Sequence, residues 1–356
     1  MQKLPGKAMS LGCVMIGIEG LALTAQDRKR LLHPLVAGVI LFSRNFESPE
    51  QLQALTDEIH ALRHPNLLIG VDHEGGRVQR FKQGFTLLPP AQLLGETYDA
   101  NPKKALNLAE QLGWLMATEL LSVGVDFSFA PVLDLNYGQS RVIGDRALHS
   151  DPIVVGKLGF ALMKGMRQAG MPAVAKHFPG HGYIQADTHL EVAVDSRSFD
   201  TIYRQDLQPF LTFFENSGEA VMPAHVIYSQ VDALPVGFSN YWLQQILRQK
   251  CHFDGCIVSD DLGMAAAKAL GSASERALLA LNAGCDLVLF CNLFEEMDEV
   301  LREVDFHANP LSHARLIRMH GHMQQTYDKL FYDPLWQAAH QKIRALANQD
   351  EQQVLL

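Results

Sequence analysis

The sequence has no apolar stretch as long as the roughly 18 residues that a membrane-spanning helix requires. Residues 1–7 contain two lysines but neither an apolar core nor a small-residue cleavage site, so we expect no export signal. The basic residues do not cluster, and the formal net charge is −9, which argues against a nucleic-acid partner. We therefore expect neither a membrane nor a nucleic acid among the partners of this chain.

Cysteine is scarce, and its pattern excludes a disulfide framework. The chain has five cysteines, an odd number, and no C-x-x-C motif. Most of them stand within apolar runs, which is typical of buried free thiols in a reducing compartment. We therefore predict a cytoplasmic protein whose free cysteines are Cys13, Cys251, Cys256, Cys285 and Cys291.

Several motifs that identify common enzyme classes are also missing. No glycine-rich phosphate fingerprint follows a predicted strand, so nucleotide binding has little support. No G-x-S-x-G is present to form the nucleophile elbow of a serine hydrolase. We expect no cofactor. No internal repeat or low-complexity linker divides the 356 residues, and one domain over residues 1–356 is the simplest interpretation.

Eight short apolar runs, with helical patterns between most of them, predict the fold. Their hydrophobicity is continuous rather than alternating, which is typical of parallel strands buried on both faces. This pattern favours a (β/α)8 TIM-type barrel, in the α/β class, over residues 8–305. After residue 292 the pattern is only helical, which predicts additional C-terminal helices over residues 310–350. The predicted strands are 13–18, 38–42, 67–71, 126–132, 173–177, 220–224, 256–259 and 286–290.

Helix boundaries are marked at three places. Residues 48–51, Ser-Pro-Glu-Gln, form a capping-box pattern with proline at the first helical position. Asp151 precedes Pro152 at the start of a second helix that we expect to end at Gly170. A third helix is predicted to begin after residues 272–275, Ser-Ala-Ser-Glu, and to end at Gly284.

Polar residues follow nearly every predicted strand. Because the loops at the carboxyl ends of barrel strands build the active site, this pattern indicates an enzyme. The residues that follow the eight runs are, in order, Glu19; Ser43, Arg44 and Asn45; Asp72 to Arg77; Asp134 and then Asp145 and Arg146; Lys176 and His177; His225; Asp260 and Asp261; and Asn292.

Residues 176–189 are poorly suited to a protein core and are predicted to form a functional loop that leaves the end of a strand. They contain three histidines, His177, His181 and His189, and one aspartate, with Pro179 and Gly180 forming a turn. His189 lies two residues after Asp187, so a carboxylate–imidazole pair for proton transfer is sterically feasible. Carboxylates and arginines bind sugar hydroxyls, and a strand-end aspartate can attack an anomeric carbon.

The chain resembles glycoside hydrolase family 3, and within it the single-domain bacterial β-N-acetylglucosaminidases of peptidoglycan recycling. The resemblance covers nearly the whole chain, and its motifs are specific in combination. They are residues 71–80 (VDHEGGRVQR), 129–134 (FAPVLD), 142–146 (VIGDR), 176–182 (KHFPGHG), 187–189 (DTH), 222–225 (MPAH) and 259–262 (SDDL).

This resemblance implies a retaining mechanism through a covalent glycosyl-enzyme. It implies that Asp260 is the nucleophile and that His189, polarised by Asp187, is the general acid and base. The substrate would be a small N-acetylglucosaminide or muropeptide, such as N-acetylglucosaminyl-anhydro-N-acetylmuramoyl peptides, and the chain would be a monomer or weak dimer. The residues implied to hold the N-acetylglucosamine ring are Asp72, Arg80, Arg146, Lys176 and His177.

The chain departs from the family pattern at a few positions. His73 stands where glutamine is expected, Thr188 and Gly263 where serine is expected, and no proline lies near Ala193. No departure removes a group with an implied chemical role. Thr188 keeps a hydroxyl but is stiffer at χ1, which bears on the rate rather than on the reaction.

Other interpretations of the same residues stay open at this level. Asp260 or Asp261 could cap a helix that begins near Leu262; with the resemblance, Asp261 is the expected cap. His177, His181, His189 and Asp260 could hold a metal in an amidohydrolase-type barrel, although Pro179 and Gly180 prevent a helical H-x-x-x-H site. A non-catalytic sugar-binding barrel is a third possibility.

Three further residues at strand ends are expected to have other roles. Glu19 and Asp134 are expected to be structural, and His225 either hydrogen-bonds in the core or contacts sugar.

Overall fold

The computed structural model of the chain describes residues 7–185, 192–306 and 309–354. Eight parallel strands form one sheet that curls into a nearly closed barrel, as predicted. Consecutive strands pair around the barrel, and the last strand pairs with the first: Val288 lies opposite Val14. The strands are β1 Val14–Gly17, β2 Val36–Leu41, β3 Leu68–Val71, β4 Phe127–Ser128, β5 Val174–Phe178, β6 Ala220–Pro223, β7 Cys256–Asp261 and β8 Leu287–Phe290.

The barrel closes between β4 and β5 through a few hydrogen bonds rather than a full ladder. Pro131 has no N–H to donate, which limits the ladder beyond the short β4. Its carbonyl still accepts from the Lys176 N–H at 3.1 Å, and the Leu133 N–H donates to the Lys176 carbonyl at 2.7 Å. Lys176 is thereby held at the closing seam of the barrel.

Helices surround the barrel and continue beyond it at the C-terminus, as the sequence predicts. They are α1 Ala25–Leu31, α2 Pro49–Ala61, α3 Gln92–Ala100, α4 Pro102–Ser122, α5 Pro152–Ala169, α6 Phe199–Arg204, α7 Gln208–Glu215, a π-helical segment Tyr241–Lys250, α8 Ala265–Lys268, α9 Ala273–Ala283, α10 Phe294–Glu303, α11 Pro310–Ile317, α12 Tyr327–Leu330 and α13 Pro334–Val354. Helix α13 packs against α4.

The predicted helix boundaries hold, with one difference in detail. Asp151 caps α5, which ends at Gly170 with a φ of 97°, and α9 has a full capping box formed by Ser272 and Glu275. The Ser48 side chain caps α2 by accepting from the Gln51 N–H. The Gln51 side chain, however, accepts from the N–H of Glu47 instead of returning to Ser48, so that box is incomplete.

The interior is apolar and continuous from the barrel to the helices. The four residues of β1, β3, β6 and β8 and the six of β2 are all buried. All five cysteines are buried free thiols, which confirms the prediction from their sequence context. Within the described residues, no helix has both the length and the apolarity needed to span a membrane.

Short extra strands extend the barrel at its carboxyl-terminal face. His73–Gly75 pairs antiparallel with Val78–Gln79 directly after β3, and Ala193–Asp195 pairs with Val226–Tyr228. Asp72 and Arg80 of the predicted site directly flank the first of these ribbons. A third pair, Lys7–Ala8 with Arg63–His64, lies elsewhere on the barrel.

Candidate active site

A cavity of about 630 Å³ opens at the carboxyl-terminal ends of the barrel strands. Its size falls within the range of about 300–1,000 Å³ that is usual for small-molecule sites. This is the face on which barrel enzymes carry their active sites. The polar residues that line the cavity are Asp72, Glu74, Arg77, Arg80, Arg141, Arg146, Lys176, His177, His181, Gln185, Asp260, Asp261 and Asn292.

Four charged side chains form a network at the buried end of this cavity. Lys176 Nζ lies 2.9 Å from an oxygen of Asp72 and 2.6 Å from an oxygen of Glu74. Arg146 donates to both oxygens of Glu74, at 2.8 Å each. Because every charge has a partner of opposite sign, the network tolerates burial and keeps its donors and acceptors in fixed positions.

The network holds its four groups in their ionised forms. Burial by itself would raise the pKa of Asp72 and Glu74, but the adjacent cations lower both, that of Glu74 to about 2. Burial would lower the pKa of Lys176 and Arg146, and the two carboxylates raise both instead. At neutral pH the cavity therefore presents charge-assisted hydrogen-bonding groups suited to a ligand rich in hydroxyls.

Arg80 completes this end of the cavity. Its Nη2 donates to Asp72 at 3.2 Å, and its guanidinium lies 5.7 Å from the centre of the Phe42 ring. The loop that carries Arg80 is fixed by the buried Gln79, whose amide donates to the carbonyls of Phe81 and Thr86. The position of Arg80 is thus determined by the ribbon that follows β3.

Two histidines line the same cavity, His177 from β5 and His181 from the loop that follows it. His177 Nδ1 lies 2.6 Å from Asp134, and the other oxygen of Asp134 accepts from the backbone N–H groups of His177 and His181. Asp134 is fully buried, as expected for a structural residue, and it fixes the tautomer and orientation of His177. Burial lowers the pKa of His181 to about 4, so its imidazole is neutral at pH 7.

The end of β7 brings Asp260 to the cavity. The strand runs to Asp261, so Asp260 belongs to the strand end rather than to the following loop. The expectation that Asp261 caps a helix is wrong. Helix α8 begins only at Ala265 and has no side-chain cap, whereas Asp261 accepts from the N–H groups of Gly263 and Cys291. Burial raises the pKa of Asp261.

Other residues at strand ends serve the framework instead. His225 Nε2 donates to the Asp261 carbonyl at 3.1 Å, and its ring stacks on Phe238, so His225 is a core residue. Glu19 lies 3.5 Å from Arg30, away from the cavity. His73 is buried beside Phe81 and Phe85. The fully buried Asn45 bonds to backbone groups of the β1 and β2 loops.

Asp187, Thr188 and His189 lie outside the described residues, so their roles stay predictions. Within the ranges that the structure describes, no three His, Cys, Asp or Glu side chains are arranged to hold a metal ion. His177 and His181 lie with their ring centres 5.8 Å apart, and Asp134 already engages one nitrogen of His177.

A second cavity, of about 520 Å³, adjoins the amino-terminal ends of β7 and β8. Its charged groups bond to each other: Arg248 and Arg315 both bind Asp286, and Arg315 also binds Asp254. At this face of a barrel such ion pairs serve stability rather than catalysis.

The structure brings together all the predicted residues that it describes: Asp72, Arg80, Arg146, Lys176, His177 and Asp260 line one cavity. The sequence reasoning gave no role to Glu74. A signal was available, because residues two apart in an extended segment share a face, and Glu74 follows Asp72 at that spacing.

Comparison with known proteins identifies the family. The family model described as "Glycosyl hydrolase family 3 N terminal domain" matches residues 6–316 of the chain. The chain is 62% identical to a β-hexosaminidase of Hydrogenovibrio crunogenus over 356 residues, which is the full length of both proteins.

Solved structures agree with this assignment. The fold matches NagZ from Neisseria gonorrhoeae in complex with N-trifluoroacetyl-D-glucosamine with a TM-score of 0.91 and 43% identity, covering 97% of this chain and 100% of that one. It also matches a family 3 β-N-acetylglucosaminidase from a Paenibacillus species with a TM-score of 0.83 and 29% identity, covering 94% of this chain and 67% of that one. The family resemblance inferred from the motifs is confirmed: the chain belongs to glycoside hydrolase family 3 and is a glycosidase.

Proposed function

We propose that this chain is an exo-acting β-N-acetylglucosaminidase that works with retention of configuration. It removes terminal non-reducing N-acetylglucosamine from peptidoglycan fragments, such as N-acetylglucosaminyl-anhydro-N-acetylmuramoyl peptides. The family assignment and a β-hexosaminidase at 62% identity support the sugar class. A neighbour of similar fold that holds N-trifluoroacetyl-D-glucosamine supports a cavity fit for an N-acylated glucosamine.

The sugar ring binds at the buried end of the cavity. Asp72 accepts hydrogen bonds from sugar hydroxyls, while Lys176, Arg146 and Arg80 donate them. His177 is oriented by Asp134 so that its free nitrogen is available to the ligand. Because these groups already bond to each other, little reorganisation is needed when the sugar enters.

The observation that carries the proposal is that Asp260 lines the same cavity as Asp72, Arg146 and Lys176. In the first step an Asp260 oxygen attacks the anomeric carbon, the glycosidic C–O bond breaks, and the leaving oxygen takes a proton from His189. In the second step water gives a proton to His189 and its oxygen bonds to the anomeric carbon, which frees the Asp260 carboxylate.

An imidazole acid has a physical advantage in this setting. Most glycosidases use two carboxyl groups, but a second carboxylate near Asp260 would add a like charge. His189 alternates between neutral and cationic forms, and Asp187 favours the cation. Both roles rest on the family resemblance of residues 187–189, in which His189 follows Asp187 by two residues.

The cellular setting follows from the same proposal. Five buried free thiols fit a reducing compartment, and we place the enzyme in the cytoplasm as a monomer or weak dimer. Its substrate is a small soluble glycoside rather than a polymer.

Turnover of a chromogenic N-acetylglucosaminide tests the proposal. We expect turnover by the wild-type enzyme without added phosphate, release of free N-acetylglucosamine, retained activity after exhaustive chelation, and loss of turnover in Asp260→Asn. Activity lost on chelation and restored by metal would favour the amidohydrolase alternative. Binding of N-acetylglucosamine without any turnover would favour a non-catalytic sugar-binding barrel.

A further inference from the structure

One cation at the mouth of the active-site cavity has no counter-ion among the residues that the structure describes. Arg141 is exposed, lines the cavity and belongs to the loop between β4 and α5. Across the described parts of the chain, no hydrogen-bond acceptor or carboxylate contacts its guanidinium. The other cations of the cavity are paired: Lys176 and Arg146 with Glu74, Arg80 with Asp72, and Arg77 with Asp145.

The backbone around Arg141 is nevertheless held in place. Arg77 Nη2 donates to the carbonyls of Arg141 at 3.2 Å and Val142 at 2.6 Å, and its Nε donates to Asp145 at 2.8 Å. The Gly144 N–H donates to the Ser140 carbonyl at 3.0 Å. A fixed backbone with a free guanidinium reduces the ordering needed to bind an anion.

The charge balance of the cavity also favours binding of an anion. The chain carries a formal net charge of −9, yet cations outnumber carboxylates among the described lining residues of this cavity. Four of the five cations have a carboxylate partner, Arg77 through Asp145 outside the lining, and Arg141 is the one left without a partner among the described residues. The carboxylates are Asp72, Glu74, Asp260 and Asp261, and the cations are Arg77, Arg80, Arg141, Arg146 and Lys176.

Arg141 lies at the end of the cavity where the leaving group must emerge. Lys176 is only 2% exposed, whereas Arg141 and Gln185 are exposed at the rim. Gln139, two residues before Arg141, donates to the Tyr183 carbonyl and accepts from Gln185. In an exo-acting enzyme the terminal sugar occupies the buried end, so the aglycone extends past this rim.

We propose that Arg141, together with Gln185 on the exposed rim of the same cavity, forms a subsite that recognises a carboxylate on the aglycone. The inference rests on the proposed function, because it assumes that the buried end holds the terminal sugar. The subsite makes the enzyme prefer glycosides with an acidic leaving group over neutral glycosides of the same size.

The test compares two disaccharides that differ in one charge. They are N-acetylglucosaminyl-anhydro-N-acetylmuramic acid, whose lactyl group is a free carboxylate, and its neutral methylamide. For the wild type we expect a higher kcat/KM on the acid, with a preference that declines as salt increases. In Arg141→Gln this preference falls about tenfold, mainly through KM on the acid. Arg141→Lys retains part of the preference for the acid.

The matched control is Arg204→Gln. The exposed guanidinium of Arg204 pairs with Asp200 outside the cavity, and we expect this variant to keep the wild-type preference.

Three outcomes overturn the inference. The first is a wild-type enzyme that does not distinguish the two disaccharides, and the second is an equal loss on both in Arg141→Gln. The third is acceleration by inorganic phosphate that depends on Arg141, which would make the anion an acceptor rather than part of the aglycone. If the enzyme turns over a chromogenic N-acetylglucosaminide but gives any of these three results, the subsite is rejected and the proposed function stands. If it turns over no N-acetylglucosaminide at all, the subsite and the proposed function are both rejected.

Discussion

Both carboxylate oxygens of Glu74 accept hydrogen bonds from Arg146, at 2.8 Å each, and one of them lies 2.6 Å from Lys176 Nζ. Its side chain is only 6% exposed. One buried anion therefore sets the position of two cations that face the sugar site. Glu74 is best described as a positioning residue, since the groups that it holds are the ones proposed to contact the sugar.

We predict that Glu74→Gln lowers kcat/KM about tenfold or more, chiefly through KM. Glutamine has one acceptor oxygen, so its NH2 group would face Arg146 or Lys176 and displace it. Steady-state kinetics and a melting curve with and without N-acetylglucosamine measure the effect. Glu110→Gln is the control, because Glu110 pairs with Lys164 at the surface. Unchanged kinetics in a folded Glu74→Gln enzyme would contradict the positioning role.

Asp134 supports His177 in a similar way, and Asp134→Asn is predicted to lower kcat/KM by about 10- to 100-fold. The asparagine keeps an oxygen for the backbone N–H groups, but its amide can face His177 Nδ1 and reverse the tautomer. The pH profile of kcat/KM should shift as well, which loss of stability alone would not cause. Asp200→Asn, at an exposed ion pair, serves for comparison. An unshifted profile with full activity would rule the role out.

The pH dependence of stability is predicted to involve Glu119, far from the chemistry. This buried carboxyl accepts from the Thr86 N–H at 2.9 Å and from Trp336 Nε1 at 3.0 Å, and so joins the β3 loop to α13. Burial raises its pKa from 4.5 to about 7. Between these pH values the unfolded chain releases the proton and the folded chain keeps it, so this contribution to stability falls as pH rises and levels off above about pH 7.

Glu119→Gln should remove that dependence. The shift corresponds to roughly 3 kcal/mol across the window from pH 4.5 to 7. Urea unfolding of both proteins at several pH values gives the difference in free energy of unfolding. We expect this difference to move in favour of the variant as pH rises through the window. A difference that does not vary with pH would show that Glu119 does not titrate there.

His189→Gly tests the general acid. General acid catalysis contributes about 10²- to 10⁴-fold, so activity on natural disaccharides should fall by that range. An aryl leaving group of low pKa needs no proton in the first step, and its cleavage should be largely spared. Comparable losses on both substrates would assign His189 a structural part instead.

The strands were predictable because parallel strands buried on both faces have continuous apolar sequences, and each of the eight predicted runs overlaps a barrel strand. The exact ends were not. The last two residues of β7, Asp260 and Asp261, looked like loop residues because they are charged, yet Asp261 pairs with Leu289 in the sheet.

The site was predictable where a residue directly follows a strand, as for Asp72 and Asp260, since barrel topology brings such positions together. It was not predictable where the role depends on distant partners. Asp134 was expected to be structural, but its bond to His177 Nδ1 was not foreseeable, and the choice between core and sugar contact for His225 depended on the Asp261 carbonyl. No local pattern distinguishes these cases.

The most direct test of the account is to identify the residue that becomes glycosylated. A 5-fluoro N-acetylglucosaminide with a good leaving group should trap the covalent intermediate, and digestion with peptide mapping should locate the added mass. We predict a single modified peptide with the sugar on Asp260. A label on another carboxylate, or a trapped enzyme in Asp260→Asn, would contradict it.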